Sequence, residues 1–196
     1  MNTLAWMIAA FLSGSLPFSV WLGRLALRKD IRTYGDGNPG ATNVFKAGGR
    51  WVGVLAVVLD ALKGIVPVGL ASMVGGIQGW EMVAVALAPL LGHAFSPFLR
   101  FRGGKAVAVT FGMWIGLTLW HAPMVLGIML YYWFRVIAIS GWALLFALLG
   151  LLLYLFLIQA EWVWLTVWLG STMLIIWKYR HDLRQRPALR QRRATA

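Results

Sequence analysis

Residues 106–134 read AVAVTFGMWIGLTLWHAPMVLGIMLYYWF, a run without a single Lys, Arg, Asp or Glu, closed by Lys105 on one side and Arg135 on the other. Whether this run crosses a membrane once or twice decides the fold. A hydrocarbon core of about 30 Å takes about 20 apolar residues per helix, so the run is long for one crossing and short for two. His121 and Pro123 sit at its midpoint and favour a tight turn, hence two crossings. Working outward, seven helical spans are predicted, at 3–26, 51–74, 80–99, 106–120, 122–134, 140–158 and 162–178. With that count, all but one of the 18 Lys and Arg fall on one side: Arg24, Arg28, Lys29, Arg32, Lys46, Arg50, Arg100, Arg102, Lys105, Arg135, Lys178 and the six arginines that follow it. Lys63, inside the second span, is the exception, and the opposite loops carry only Glu81 and Glu161. Merging the fourth and fifth spans would move the basic C-terminal segment to the other side. Lys and Arg are retained in the cytoplasm, which predicts a periplasmic N-terminus and a cytoplasmic C-terminus.

Composition agrees. Of 196 residues 60% are hydrophobic and 12% charged, with 12 Trp and 10 Phe, whereas soluble chains have roughly 45–50% and about 25%. That excludes an ordinary soluble domain and a disordered chain. Cys is absent, which removes disulfides, thiolate nucleophiles and Cys metal sites. The net charge of +12 would suggest nucleic acid in a soluble protein; here its placement points to anionic lipid headgroups and anionic substrates. The expected fold is an all-α polytopic integral membrane protein with about seven transmembrane helices, forming one membrane-embedded domain over residues 1–196. The basic tail 184–196 is expected to be mobile against anionic lipid. The first apolar run has no Lys or Arg before it and continues for a full span, unlike a cleavable signal.

A span needs no polar residues, so clustered ones suggest a site. Gly35-Asp36-Gly37-Asn38-Pro39-Gly40-Ala41-Thr42-Asn43 is followed by Lys46. Its glycines let successive N–H groups converge on an anion such as phosphate; Thr42 and Asn43 add side-chain donors and Lys46 a charge. The same residues are also good turn chemistry. Gly92-His93 precedes Arg100-Phe101-Arg102-Gly103-Gly104-Lys105. There a helix N-terminus would add its dipole to the Lys105 charge, or the basic cluster would touch lipid phosphate. Asp60 and Lys63 are three apart in the second span and share a face, which suits a structural pair. Ser13, Gly14, Ser15 and Pro17 suggest close helix packing or a helix break. His121 has no polar company and His181 lies in the basic tail. No metal-ligand spacing is present. Neither a His-x4-Asp signature nor a Gly-x-Ser-x-Gly elbow occurs, which disfavours a covalent acyl-enzyme.

At these residues the chain resembles the bacterial acyl-phosphate:glycerol-3-phosphate acyltransferases, the PlsY family, from about Ser13 to Arg184. The resemblance is carried by Gly14-Ser15-Leu16-Pro17-Phe18, by Gly37-Asn38-Pro39-Gly40-Ala41-Thr42-Asn43-Val44, by Asp60-Ala61-Leu62-Lys63-Gly64, and by Gly92-His93-Ala94-Phe95 through Phe101-Arg102-Gly103-Gly104-Lys105. The chain departs from the family at Asp36, where Ser is usual, at Lys46 for Arg, at Ala106 for Gly and at Ala138 for Ser, with Ser140 nearby. Asp182-Leu183 stands in place of Asn-Ile, or His181-Asp182 aligns one residue away. The resemblance implies acyl transfer from acyl phosphate to the 1-hydroxyl of glycerol 3-phosphate, with no cofactor and no metal, in the bacterial inner membrane with the site facing the cytoplasm. A soluble acyl-phosphate synthase is the implied partner, beside membrane lipids, and nucleic acid is not one.

Lys105, His93 and Asn43 are the expected catalytic residues. Phosphate binding is expected from Gly35, Asp36, Gly37, Asn38, Gly40, Thr42, Asn43, Lys46, Gly103, Gly104, Lys105 and Asp182. His93 is one candidate base; the leaving phosphate, which would make the reaction substrate-assisted, is the preferred one. A small transporter or flippase for phosphorylated solutes is the alternative, with basic residues along a path through the bilayer; no inverted repeat supports it.

Overall fold

The computed structural model describes residues 2–190; residues 191–196, including Arg192 and Arg193 of the basic tail, lie outside the described residues. The described chain is helical without a strand: α1 Thr3–Ser15, α2 Phe18–Ala26, α3 Ala41–Lys46, α4 Arg50–Met73, α5 Gly79–Ala94, α6 Val107–Thr118, α7 His121–Val136, α8 Ser140–Leu157, α9 Trp162–Lys178 and α10 Arg180–Leu183. It forms two compact units, Met1–Leu119 and Trp120–Ala196. Among the described residues four stretches are long and apolar enough to cross a membrane: Thr3–Ala26, Arg50–Met73, Gly79–Leu99 and Ser140–Leu157; Val107–Thr118 and Trp162–Lys178 are shorter apolar helices.

The 106–134 run does split into two helices. α6 ends at Thr118 and Leu119 turns with a left-handed φ of 59°. The turn falls just before His121 and Pro123, which open α7, where proline's missing N–H has no intrahelical partner to lose. The first predicted span is not continuous. Pro17 lacks the N–H that the helix needs, so the helix stops at Ser15 and restarts at Phe18.

Burial on α4 is inverted relative to a soluble helix. Gly53, Ala56, Asp60, Lys63, Gly64, Pro67, Val68 and Ala71 are buried. Val54, Leu55, Val58, Leu62, Val66 and Leu70 are exposed. Small and charged groups inside with branched apolar groups outside is the pattern that hydrocarbon solvent favours. The small residues allow backbones to touch. A Cβ on Gly14 would overlap the Pro89 backbone and one on Gly92 the Phe11 carbonyl, which binds α1 to α5. A Cβ on Gly112 would overlap the Ala61 carbonyl, and one on Gly64 would sit 2.6 Å from Met113 N, which binds α4 to α6.

In the second unit Leu144, Leu148, Leu151 and Leu155 of α8 are buried, and Trp168 Nε1 donates to the Leu148 carbonyl at 2.8 Å to tie α9 to α8. Three bonds join residues 185–190 to the segment that ends α7 and begins α8. Ala138 N donates to Ala188 O and Arg190 N to Val136 O, both at 2.8 Å, and Trp142 Nε1 donates to Gln185 O at 2.8 Å.

Candidate active site

The loop between α2 and α4 is anchored by an apolar cluster of Val20, Ile31, Ala41, Val44, Ala47 and Ala56. Gly35 and Gly37 hold left-handed φ values of 60° and 72°, a region glycine enters without cost. The loop amides do not converge outward as the glycine pattern suggested. Gly37 N donates to Tyr34 O and Gly40 N to Asn38 O, while Asn38 N donates to Asp36 Oδ1 at 3.2 Å. Side chains converge instead. Asn43, 1% exposed, donates its Nδ2 to Asp36 Oδ1 at 3.1 Å and to Asn38 O at 2.9 Å. Lys105 Nζ lies 2.9 Å from Asp36 Oδ2. Asn43 and Lys105, far apart in sequence, therefore grip the two oxygens of one carboxylate. Burial pushes the Asp36 carboxyl up, but the Lys105 bond, the Asn38 amide, the Lys105 charge and the Asn43 amide together hold it below its ordinary value.

Lys46, in the last turn of α3, folds over Gly35: a Cβ there would sit 2.7 Å from Lys46 Nζ and overlap Asn43 Oδ1. That Asn43 oxygen is buried and accepts no hydrogen bond, an imbalance found where polar ligands bind. Thr42 is exposed in the first turn of α3.

The second cluster is built on the end of α5. Arg100 and Phe101 take left-handed φ values of 52° and 61° and turn the chain back, so that Gly104 N donates to His93 O at 3.0 Å. Gly103 and Gly104 are glycine for packing. A Cβ on Gly103 would overlap the His93 carbonyl, and one on Gly104 would overlap His93 Nε2. The Gly104 amide, expected at the anion, is thus committed to α5. Ala106 caps α6 with φ 59° and no side-chain hydrogen bond, a left-handed conformation that glycine adopts without cost.

Asp60 and Lys63 form the expected buried pair at 2.6 Å, and Ser19 Oγ donates to Asp60 Oδ2 at 2.7 Å. Asp182 belongs to the second unit, where its Oδ2 accepts from Gly141 N at 3.1 Å in the first turn of α8, a favourable place for an anion. Among the described residues no group of His, Asp or Glu is placed to hold a metal.

A cavity of about 860 Å³ opens beside the loop, lined by Gly37, Pro39, Phe98 and Leu99 with Arg24, Arg32, Arg100 and Arg102. Asp30 lies 2.6 Å from Arg32 and 3.3 Å from Arg24. The Arg32 hydrogen bond holds the Asp30 carboxyl well below the usual range and pushes Arg32 up. The sequence reading singled out none of these arginines as site residues, because all four serve equally well as retained positive charge.

The family model for glycerol-3-phosphate acyltransferase matches residues 4–187. The chain belongs to the glycerol-3-phosphate acyltransferase family. It is similar to the glycerol-3-phosphate acyltransferase of Anaeromyxobacter dehalogenans strain 2CP-1, 51% identical over 117 residues, a match that spans 58% of each chain and so little more than half of that relative. Similarity to the glycerol-3-phosphate acyltransferase of Nitrosomonas eutropha runs further, 40% over 184 residues and 90% of each chain. Among solved structures it is similar to PlsY, an integral membrane glycerol 3-phosphate acyltransferase. The crystal structure of its glycerol 3-phosphate form has a TM-score of 0.84 and 31% identity, covering 93% of this chain and 90% of that one. The lysophosphatidic acid form has a TM-score of 0.78 and 32% identity, with the same coverage. The likeness is to an integral membrane member of that family; it assigns no role to any residue of this chain.

Proposed function

We propose that this member of the family transfers a fatty acyl group from acyl phosphate to the 1-hydroxyl of glycerol 3-phosphate, giving lysophosphatidic acid and phosphate. The observation that carries the reading is the double grip on Asp36: Asn43 Nδ2 and Lys105 Nζ already hold an anion between two segments of the first unit. Both substrates are phosphorylated, and PlsY, the structural relative, is known in forms with glycerol 3-phosphate and lysophosphatidic acid. A substrate phosphate takes the place of the Asp36 carboxylate, with Lys46 close by. The arginine-lined cavity is its approach. The acyl chain lies between apolar helices.

In the reaction the glycerol 1-oxygen bonds to the acyl carbon and the bond from that carbon to the phosphate oxygen breaks. The hydroxyl proton leaves with the phosphate, so the substrate supplies its own base. Acyl phosphate is already activated, so positioning and charge stabilisation carry the catalysis, and Lys105 is the cation that steadies the developing negative charge. No covalent enzyme intermediate is required. Seven crossings, with the site and the C-terminus in the cytoplasm of a bacterial inner membrane, place these cations where both substrates are found. A soluble acyl-phosphate synthase supplies the donor. Against a transport path, the buried charges of Asp60 and Lys63 are spent on each other rather than lining a channel.

The test uses purified protein in detergent with acyl phosphate and glycerol 3-phosphate, and acyl-CoA as the alternative donor. Lysophosphatidic acid and phosphate from acyl phosphate alone is the expected result. Acyl transfer from acyl-CoA only, or uptake of glycerol 3-phosphate into proteoliposomes without any acylated product, overturns the reading.

A further inference from the structure

Asp60 and Lys63 are each 2% exposed, and Lys63 Nζ faces three acceptors. Asp60 Oδ1 is 2.6 Å away. The Leu16 carbonyl, where the Pro17 break interrupts the helix, is 2.8 Å away. His93 Nδ1 is 3.0 Å away. The other edge of the same imidazole, Nε2, packs on Gly104, and the His93 carbonyl accepts from the Gly104 amide. A buried charge pair is thus joined through one histidine to the turn that presents Lys105.

We propose that the Asp60–Lys63 pair sets the tautomer of His93: Nδ1 is committed to Lys63 and the proton is fixed on Nε2, behind Gly104, so that His93 is not a proton acceptor in acyl transfer. Asp60 and Lys63 are then positioning residues. The consequence for catalysis rests on the function proposed above; the tautomer does not.

The assignment follows from counting donors. A lysine ammonium has three N–H groups and no lone pair, and a carbonyl and a carboxylate only accept. Nζ donates to the Leu16 carbonyl, lies against Asp60 Oδ1 as an ion pair and meets His93 Nδ1; a charged Lys63 has no lone pair to accept with, so His93 Nδ1 must be bare. The rival arrangement, a neutral amine accepting from Nδ1–H, would leave the Asp60 carboxylate with no cation inside an apolar span, which is disfavoured. An imidazolium would aim an N–H at the ammonium. One arrangement keeps the cluster neutral with the Asp60 charge compensated: ionised Asp60, charged Lys63, and neutral His93 carrying Nε2–H. The charged groups around the ring are Lys63 and, through it, Asp60 on α4. Leu16 contributes only a carbonyl, and Gly104, followed by Lys105, packs on the far edge.

The test is the ¹⁵N spectrum of histidine-labelled protein in lipid nanodiscs, with His121→Gln and His181→Gln so that His93 alone reports. The expected spectrum shows protonated Nε2 and bare Nδ1. A protonated Nδ1 overturns the proposal. The double variant Asp60→Asn, Lys63→Gln removes both charges together. Its His93 should lose the fixed tautomer and show a mixture of Nδ1–H and Nε2–H forms, and kcat should fall by about tenfold to a hundredfold. If that His93 keeps the fixed Nε2–H signature, the pair does not set the tautomer and the proposal fails. Should the double variant not fold, the unmodified Asp60 and Lys63 protein decides alone. A protein with the expected tautomer but no lysophosphatidic acid product contradicts the functional reading and leaves this one standing.

Discussion

Asp36→Asn is the most informative single change, because it keeps the shape of the loop and removes the anion that occupies the proposed phosphate position. The Asn38 amide and the Asn43 Nδ2 retain an oxygen to bond, while Lys105 loses its 2.9 Å ionic partner. The Asp36 side chain is 47% exposed and Lys105 22%, so solvent screening limits the pair to about 0.2–1 kcal/mol. A substrate phosphate no longer competes against that amount. One kcal/mol corresponds to about a fivefold change in an equilibrium constant, so KM for the phosphate that replaces Asp36 should fall by up to about fivefold. kcat should change by less than about twofold, since uniform binding lowers KM without raising kcat. Steady-state kinetics with each substrate varied in turn make the measurement. A KM that rises tenfold for either substrate would show that Asp36 binds or orients substrate, and an unchanged KM for both would show that no phosphate takes its place. The pH sign is separate. A carboxyl held below its ordinary value of 3.8 stabilises the fold above that pH, and this contribution is lost as pH falls through the lowered value. Asp36→Asn lacks that contribution at every pH, so its acid unfolding should begin at the same or a slightly higher pH than in the wild type, with a shallower dependence of stability on pH.

Lys105→Ala should lower kcat by about 10²–10³-fold, the usual loss of a charge-stabilising group; wild-type turnover would remove Lys105 from the site. Gly104→Ala drives a methyl into His93 Nε2 and should cost about 1–3 kcal/mol in stability with a larger loss of kcat, both measured on the same preparation; unchanged stability would contradict the packing described. Ala106→Gly relieves a left-handed residue at about 1–2 kcal/mol, offset by about 0.5–1 kcal/mol of glycine chain entropy. The net should raise Tm in detergent, and a lower Tm would refute the strain.

The helices were legible because long apolar runs bounded by charge carry the signal on their own. Pro17 even marks where the first run breaks. The convergence of Asn43 and Lys105 was legible only as two separate anion-binding patterns; that one carboxylate lies between them depends on the fold bringing distant segments together. Asp36 stood out in the sequence only as a departure from the Ser usual in the family it resembles. Gly103 and Gly104 read as free amides, whereas contact with His93 explains them better, and no local pattern reveals a contact across the turn after α5. Arg24 and Arg32 were hidden inside the charge count that fixed the sidedness, and Arg100 and Arg102 were read only as the basic run before Lys105. The docking of residues 184–190 on 136–138 rests on backbone bonds to which no side-chain pattern points.

The central claim is that the Asn43–Lys105 cradle exchanges the Asp36 carboxylate for a substrate phosphate. A structure with glycerol 3-phosphate and a non-transferable acyl phosphonate tests it most directly. The account predicts a phosphoryl oxygen within hydrogen-bonding distance of Lys105 Nζ, with Asp36 turned away. Both phosphoryl groups bound elsewhere, with the Asp36–Lys105 pair intact, would contradict it.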